Sequence, residues 1–235
     1  MSDDTFPLWV YLSTTPLLWL TVTLVAWIFS DWLAAKFNRH PLVNPILLAV
    51  ILVSLVLMLT DTAYATFFEG AQFVHFMLGP ATVAIAIPIV KNRKIIAQNL
   101  VPLLAALLVG GFVAIVSAIL LGIMLGLPED ILISLAPKSV TMGISEQLGG
   151  VPSLTAVVVV TTGIFGAITV TPLMNLLGIK DYVARGFAVG LSAHGIGTAR
   201  AFNVSPVAGT FAGIALGLNA VVTAFFVPII VSWLL

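Results

Sequence analysis

The residues of this chain that could do chemistry sit in two short strings. The first is Ala136-Pro137-Lys138-Ser139, followed by Thr141, Gly143 and Glu146. The second is Ser192-Ala193-His194-Gly195-Ile196-Gly197-Thr198, closed by Arg200. In the first, an ammonium stands beside a proline and two hydroxyls, Ser139 and Thr141, that can cap a helix start. A helix start carries unpaired N–H groups and the positive end of the dipole. Together with Lys138 these make an anion site suited to the carboxylate of a small solute. The plainer reading is a lysine that snorkels toward water.

In the second string Gly195 and Gly197 let backbone approach a ligand and permit positive φ. Thr198 can cap a following half-helix. His194 can bind the solute or carry a coupling proton, since imidazole titrates near neutrality. The alternative is a histidine hydrogen-bonded between helices. Glu146 and Arg200 admit three readings: a polar cavity for a small charged solute, with Glu146 taking a coupling proton or neutralising Arg200; an ion pair; or two charges at the headgroups. No nucleophile–base spacing is present. The histidines His40, His75 and His194 are scattered, and cysteine is absent. The sequence therefore predicts no catalytic residue, no metal site, no cofactor and no enzyme.

Such residues need elements to position them, and the composition says what kind. Of 235 residues 60% are hydrophobic and only 8% charged, against about 25% charged in soluble proteins. Mean hydropathy is +1.20. Eighteen charges, nine of each sign, cannot clothe a globule of this size in polar surface. A soluble enzyme, a nucleic-acid binder and a disordered chain are excluded. The net charge is zero, so no global field recruits nucleic acid.

Apolar stretches fill nearly the whole chain, at roughly 6–29, 41–60, 64–90, 95–127, 129–149, 151–178, 182–203 and 205–234. A membrane helix needs about 20 apolar residues, and the runs exceed the ~10-residue strands of a membrane barrel. The expected fold is a single all-α transmembrane domain over 1–235. The acidic start, Met1-Ser2-Asp3-Asp4, argues against a secretory signal.

Lys36 and Arg39, then Lys91, Arg93 and Lys94, alternate with the acidic connections at Asp61/Glu69 and Glu129/Asp130. By the positive-inside rule the N-terminus lies outside. Lys180 and Arg185 would then fall on the wrong side if 129–149 and 151–178 both crossed. A re-entrant 129–149, with two arms of about 10 residues, removes the conflict; a single kinked crossing is the alternative. Pro137 and Lys138 at the centre also disfavour an unbroken span.

The spacing Gly143…Pro152 recurs as Gly197…Pro206, an offset of 54 residues that also relates Gly163 to Gly217 and Glu146 to Arg200. If this is a repeat, its units are 129–178 and 182–234. The second is inverted, 182–203 is a second hairpin, and the C-terminus lies outside. About six full spans plus two re-entrant or broken helices in inverted repeats is a common plan of secondary transporters. Gly79-Pro80 reads as a kink or a third discontinuity. Gly209, Gly213 and Gly217 read as a close-packing face. Asn219 and Gln147 are intramembrane polar residues without an assigned role.

Four strings together carry a resemblance: Met77-Leu-Gly-Pro-Ala-Thr-Val-Ala84, Ala136-Pro-Lys-Ser-Val140, Ser145-Glu-Gln-Leu-Gly-Gly-Val-Pro-Ser-Leu-Thr155, and Ala184-Arg-Gly-Phe-Ala-Val-Gly-Leu-Ser-Ala-His-Gly-Ile-Gly-Thr-Ala-Arg200. They make the chain similar to the LrgB/CidB family, most strongly over 77–228. One departure is Thr141-Met142-Gly143, shorter than the family pattern, which touches the shape of the first hairpin.

The resemblance implies a multi-pass protein of the inner (cytoplasmic) membrane, with two stories. In one, antiholin-like proteins tied to murein hydrolase activity and lysis act with a small LrgA/CidA-type partner. In the other, relatives move glycolate, glycerate or pyruvate. The residues and the resemblance together lead to a transporter or facilitator of small monocarboxylates, with proton coupling as an option. Its solute site is Lys138, Ser139, Thr141, His194, Gly195, Gly197, Thr198 and Arg200, and Glu146 or His194 carries the coupling. The antiholin-like protein is the alternative. A homo-oligomer in the bilayer is expected, with no nucleic-acid partner.

Overall fold

The computed structural model describes residues 15–40, 43–84, 86–140 and 143–235. Every regular element among them is a helix. The chain divides into two compact units, Met1–Ala86 and Ile87–Leu235. Both stretches read as repeat units lie within the second.

In the first unit are α1 (Pro16–Lys36), α2 (Pro45–Leu59), α3 (Tyr64–Phe76) and α4 (Leu78–Ala84). Asn44 starts α2 by accepting the Ile46 N–H at 2.9 Å, with Pro45 at the first helical position, where its missing N–H costs nothing. Trp19 is buried and meets Phe67 edge-on at 6.1 Å. Gly70 brings α3 against the α1 backbone at Pro16 and Leu20. The stretch 64–90, expected as one span with a kink or third discontinuity at Gly79-Pro80, holds α3, α4 and α5 (Ala86–Lys91). Proline accounts for the cut between α3 and α4. Its ring collides with the carbonyl four residues earlier; α3 stops at Phe76, four before Pro80.

The second unit continues with α6 (Arg93–Gln98), α7 (Leu100–Met124), α8 (Glu129–Leu135), α9 (Gly143–Gln147), α10 (Pro152–Leu176), α11 (Tyr182–Val204) and α12 (Pro206–Leu234). Four helices, α1, α7, α10 and α12, are long and apolar enough to cross a membrane, at 21, 25, 25 and 29 residues. Their lengths of about 31–43 Å exceed the ~30 Å hydrocarbon core. α2, at 15 residues, is apolar but shorter. Leu108, Phe112, Phe165, Phe225 and Trp233 stand exposed on the outer faces, as in a chain whose solvent is lipid.

α7 and α12 run parallel. Leu103 and Leu107 pack with Phe211, Ile214 and Ala215; Gly111 faces Asn219 and Val222; Ile115 and Ile119 pack with Val227 and Ile230. Contacts advance together along both helices.

Between them the chain makes two hairpins. In the first, α8 is followed by a turn at 136–140 and then by α9. Among the described residues their helical arms hold seven and five residues. Ser134, on α8, binds the end of the hairpin: the Val151 N–H donates to its Oγ at 2.7 Å, and that hydroxyl donates to the Asp130 carbonyl at 2.6 Å. Ser145 and Thr155, both fully buried, share a hydroxyl–hydroxyl bond of 2.7 Å.

The second hairpin lies inside α11. Asp181 caps its start, accepting the Val183 N–H at 2.9 Å. The helix breaks at Ala193 (φ −125°, ψ 16°) and His194 (φ 40°, ψ −140°). Past the break the chain doubles back. A Cβ on Gly197 would stand 2.7 Å from Val189 Cγ1, whereas eight residues of straight helix would separate them by about 12 Å. The positive φ falls on His194 and not on a glycine; Gly197 is where the two arms touch.

Ending a helix in a dry interior orphans its last carbonyls. Asn219, on α12, resolves one of them: its Nδ2 donates to the Leu191 carbonyl at 3.0 Å, and its Oδ1 accepts from Thr223 Oγ1 at 3.3 Å. The residue without an assigned role in the sequence thus fixes the hairpin. Of the expected packing face, Gly209 and Gly213 are buried, Gly209 against the Phe202 ring of α11, and Gly217 meets nothing within 4 Å. Gly186 and Gly190 add a further close contact, against the backbone of Ala208 and Ala212.

Two outcomes are expected for stability. Gly190→Val drives a methyl-bearing carbon into the Ala212 carbonyl and should cost about 1–3 kcal/mol through overpacking; Gly217→Ala should leave the melting temperature of the detergent-solubilised protein unchanged. Asn219→Leu leaves the Leu191 carbonyl without its side-chain donor, at about 1–3 kcal/mol, read as a lower melting temperature. Thr223→Val should cost less. Equal melting of Asn219→Leu and wild type would remove Asn219 from this role.

Candidate functional site

The turn of the first hairpin delivers Lys138 to the middle of α7. Its Nζ donates to the Ala114 carbonyl at 2.7 Å, and Ser117 Oγ lies 3.4 Å from the same oxygen. Inserting a charged side chain at mid-membrane depth costs roughly 2.5–3.5 kcal/mol on insertion scales. A charge-assisted hydrogen bond returns about 1.5–3 kcal/mol, enough to keep the ammonium on a backbone carbonyl. The hairpin approaches from the carboxyl end of α7: Gly122 lies against Leu132, and Ala136 packs with Ile115 and Ile119.

The second hairpin approaches α7 from the other end. Asp181, Val183 and Phe187 share a groove with Asn99, Pro102 and Leu103. Its tip reaches Gly110, where an added Cβ would stand 2.5 Å from Leu191 Cδ2. Gly110 and Ala114 are one turn apart, about 6 Å along the axis. Two hairpins entering from opposite ends therefore finish on adjacent turns of one helix.

His194 turns the other way, onto α10. It is 7% exposed, and its Nε2 lies 2.7 Å from the Val159 carbonyl. A carbonyl only accepts, so Nε2 carries the proton and donates, leaving Nδ1 as the basic nitrogen of the neutral ring. The ring fits only because residue 163 is glycine, whose Cβ would stand 2.5 Å from Nε2. Gly166 likewise receives Ala193.

The other residues expected at the site are spread more widely. Ser139 is buried in the turn, four positions before α9 begins, so it is not that helix's cap. Thr141 lies outside the described residues. Thr198 Oγ1 donates to the His194 carbonyl at 2.9 Å; it serves the break by satisfying a carbonyl, and does not cap an N–H. Gly195 is exposed with open space beside it, and Gly197 is the arm–arm contact. Glu146 is exposed on α9. Arg200 lines a narrow groove at the feet of the second hairpin, together with Arg185 and Tyr182; Glu146, Lys138 and His194 are not among its lining residues. Lys138 and His194 are each hydrogen-bonded to a different helix. Sequence reasoning missed the partners of Asn219, which lies 28 residues from Leu191, and those of Arg185, which ties Ile179 and Asn175 across the turn before α11.

The comparisons with known proteins agree with this architecture. A model of the LrgB-like family matches residues 23–233. YxaC of Bacillus subtilis (strain 168) is 34% identical over 84% of this chain and 88% of its own length. The holin-like protein CidB of Staphylococcus epidermidis (strain ATCC 35984) is 29% identical over 91% of this chain and 95% of its own. CidB of Staphylococcus aureus (strain Mu50) is 28% identical over 92% and 95%. No solved structure matches the chain. With its long apolar helices and a family match over nearly all of its length, this multi-pass membrane protein belongs to the LrgB-like family.

Proposed function

We propose that the chain is a transporter or facilitator of small monocarboxylates of the glycolate, glycerate, pyruvate or lactate type. One observation carries the reading: two hairpin tips approach from opposite ends of α7 and end on adjacent turns, at Gly110 and Ala114. With α7 across the bilayer, both tips lie near its midplane. Broken helices meeting at that depth are how many carriers build a solute site. Lys138 is the recognition group. A solute carboxylate, bearing a full negative charge, competes with the Ala114 carbonyl for the same ammonium. His194, with Nδ1 available, is the coupling group. Glu146 is a proton acceptor at the exposed foot of the first hairpin. Movement of the hairpins against α7 alternates access.

The second reading is a holin-like or antiholin-like protein of lysis control, acting as an oligomer and with a small LrgA/CidA-type partner. The names of the CidB relatives favour it, and they speak for it more directly than any relative's name speaks for the carrier. The apolar outer faces of α7 and α12 are the surfaces on which such assembly would occur. Neither reading makes the chain an enzyme.

Reconstitution separates the two. A carrier shows saturable uptake of labelled glycolate or pyruvate into proteoliposomes, with no release of an entrapped dye. Lys138→Ala should lower that uptake roughly tenfold to a hundredfold, the range expected for loss of one charge-assisted hydrogen bond, while the protein stays monodisperse. Undiminished uptake in Lys138→Ala would remove this residue from the solute site. Dye release that is unselective and does not saturate would establish the second reading in place of the first.

A further inference from the structure

The charges of the second unit are sorted by end. Lys91, Arg93, Lys94, Lys180, Arg185 and Arg200 all lie toward the start of α7. The first three stand on α5 and α6 just before it, the others around the feet of the second hairpin, which enters from that end. Among the described residues Asp181 is the one acid beside them, and its Oδ1 is engaged in capping α11 at the Val183 N–H. Glu129, Asp130 and Glu146 belong to the first hairpin, at the other end. The start of α7 is therefore an electropositive end.

The groove between α7 and the first arm of α11 opens at that end. Asn99 and Asp181 stand at its mouth, and its volume is about 350 Å³, within the range of about 300–1,000 Å³ found for small-ligand sites. From the mouth it follows α7 to Ala106 and α11 to Leu191, about 10 and 15 Å of helix. Its lining below the mouth is apolar: Pro102, Ala106, Ala184 and Ala188 are small, and the buried Phe187 backs them. Ile95 and Ile96 of α6 pack against the core cluster that holds Leu103 and Phe187, while Arg93 and Lys94 of the same helix are exposed. Lys94 is five positions before Asn99 and Lys180 directly precedes Asp181, so cations flank the mouth on both helices.

An apolar slot that runs along membrane helices, with cations at one end, has the polarity of an acidic lipid. An anion arriving from water would find no polar partner below the mouth. We propose that the groove seats an acyl chain of an acidic phospholipid, whose phosphate is held at the mouth by Arg93, Lys94 and Lys180. The inner end of the chain reaches Leu191, the side chain that rests against Gly110 at the tip of the second hairpin. The bound lipid thus braces that tip. The site stands whichever of the two functional readings holds.

Thermal unfolding of the full-length protein in neutral detergent tests this. The probes are short-chain phosphatidylglycerol, phosphatidylcholine of the same chain length, and glycerol phosphate. Phosphatidylglycerol should stabilise wild type saturably, with half-saturation at least tenfold below that of phosphatidylcholine, and glycerol phosphate should have no effect. Arg93→Gln, Lys94→Gln and Lys180→Gln combined should reduce phosphatidylglycerol to the level of phosphatidylcholine. Ala106 is exposed, so Ala106→Phe fills the slot, spares the core and keeps every cation; it should weaken both lipids at least tenfold. The proposal is overturned if the two lipids stabilise wild type alike, if neither does, or if glycerol phosphate alone reproduces the effect. It is equally overturned if phosphatidylglycerol protects the triple glutamine variant or a monodisperse Ala106→Phe as it protects wild type. Stabilisation that follows protein concentration in place of lipid assigns the groove to a second copy of the chain and overturns it too.

Discussion

A helix that stops inside an apolar interior strands its last carbonyls and the first amides of the next segment, with no water to take them up. The second unit of this protein is organised around that constraint. α11 stops at Ala193 and His194, and the neighbourhood answers with side chains. Asn219 reaches from α12 to the Leu191 carbonyl, Thr198 to the His194 carbonyl, and His194 itself to Val159 on α10. The break is pinned on two sides by helices that do not break. The first hairpin meets the same constraint with Ser134, whose hydroxyl accepts one backbone amide and donates to one backbone carbonyl.

Small residues let these polar contacts form. Gly163 and Gly166 accept the imidazole and Ala193, Gly186 and Gly190 accept the backbone of α12, and Gly110 accepts Leu191. Each permits an approach that a methyl group would block. Attraction between helices in lipid comes from contact and hydrogen bonding rather than from expelling water, so close approach is the condition for the polar contacts as well as a source of stability.

The sequence is most legible where a local rule is violated. Pro137 and Lys138 at the centre of an apolar stretch, and basic residues on the wrong side of a simple count, announce the first hairpin. Gly195 and Gly197 announce the second, although the left-handed residue is His194. The stretch 64–90 passes for a single span by hydropathy, and Pro80, which reads as a kink or a discontinuity, stands four positions past the end of α3. Asn219 can be noticed but not assigned, since its partner lies 28 residues away. Gly209, Gly213 and Gly217 have the spacing of a packing face; the first two are buried, and Gly217, where spacing alone is no guide, meets nothing within 4 Å. The lining of the Arg185–Arg200 groove depends on two arms lying side by side, and only the folded chain displays it.

The shared direction of α7 and α12 is a statement of parity. Two membrane helices that point the same way must be joined by chain that traverses the bilayer an odd number of times. Between Met124 and Pro206, among the described residues, α10 is the helix both long and apolar enough to traverse, and each hairpin doubles back on itself. Had either hairpin gone through, the final helix would point backwards and its register of contacts with α7, from Leu103–Phe211 to Ile119–Ile230, could not exist. The long interface between the two outer helices thus acts as a checksum on the topology of everything threaded between them.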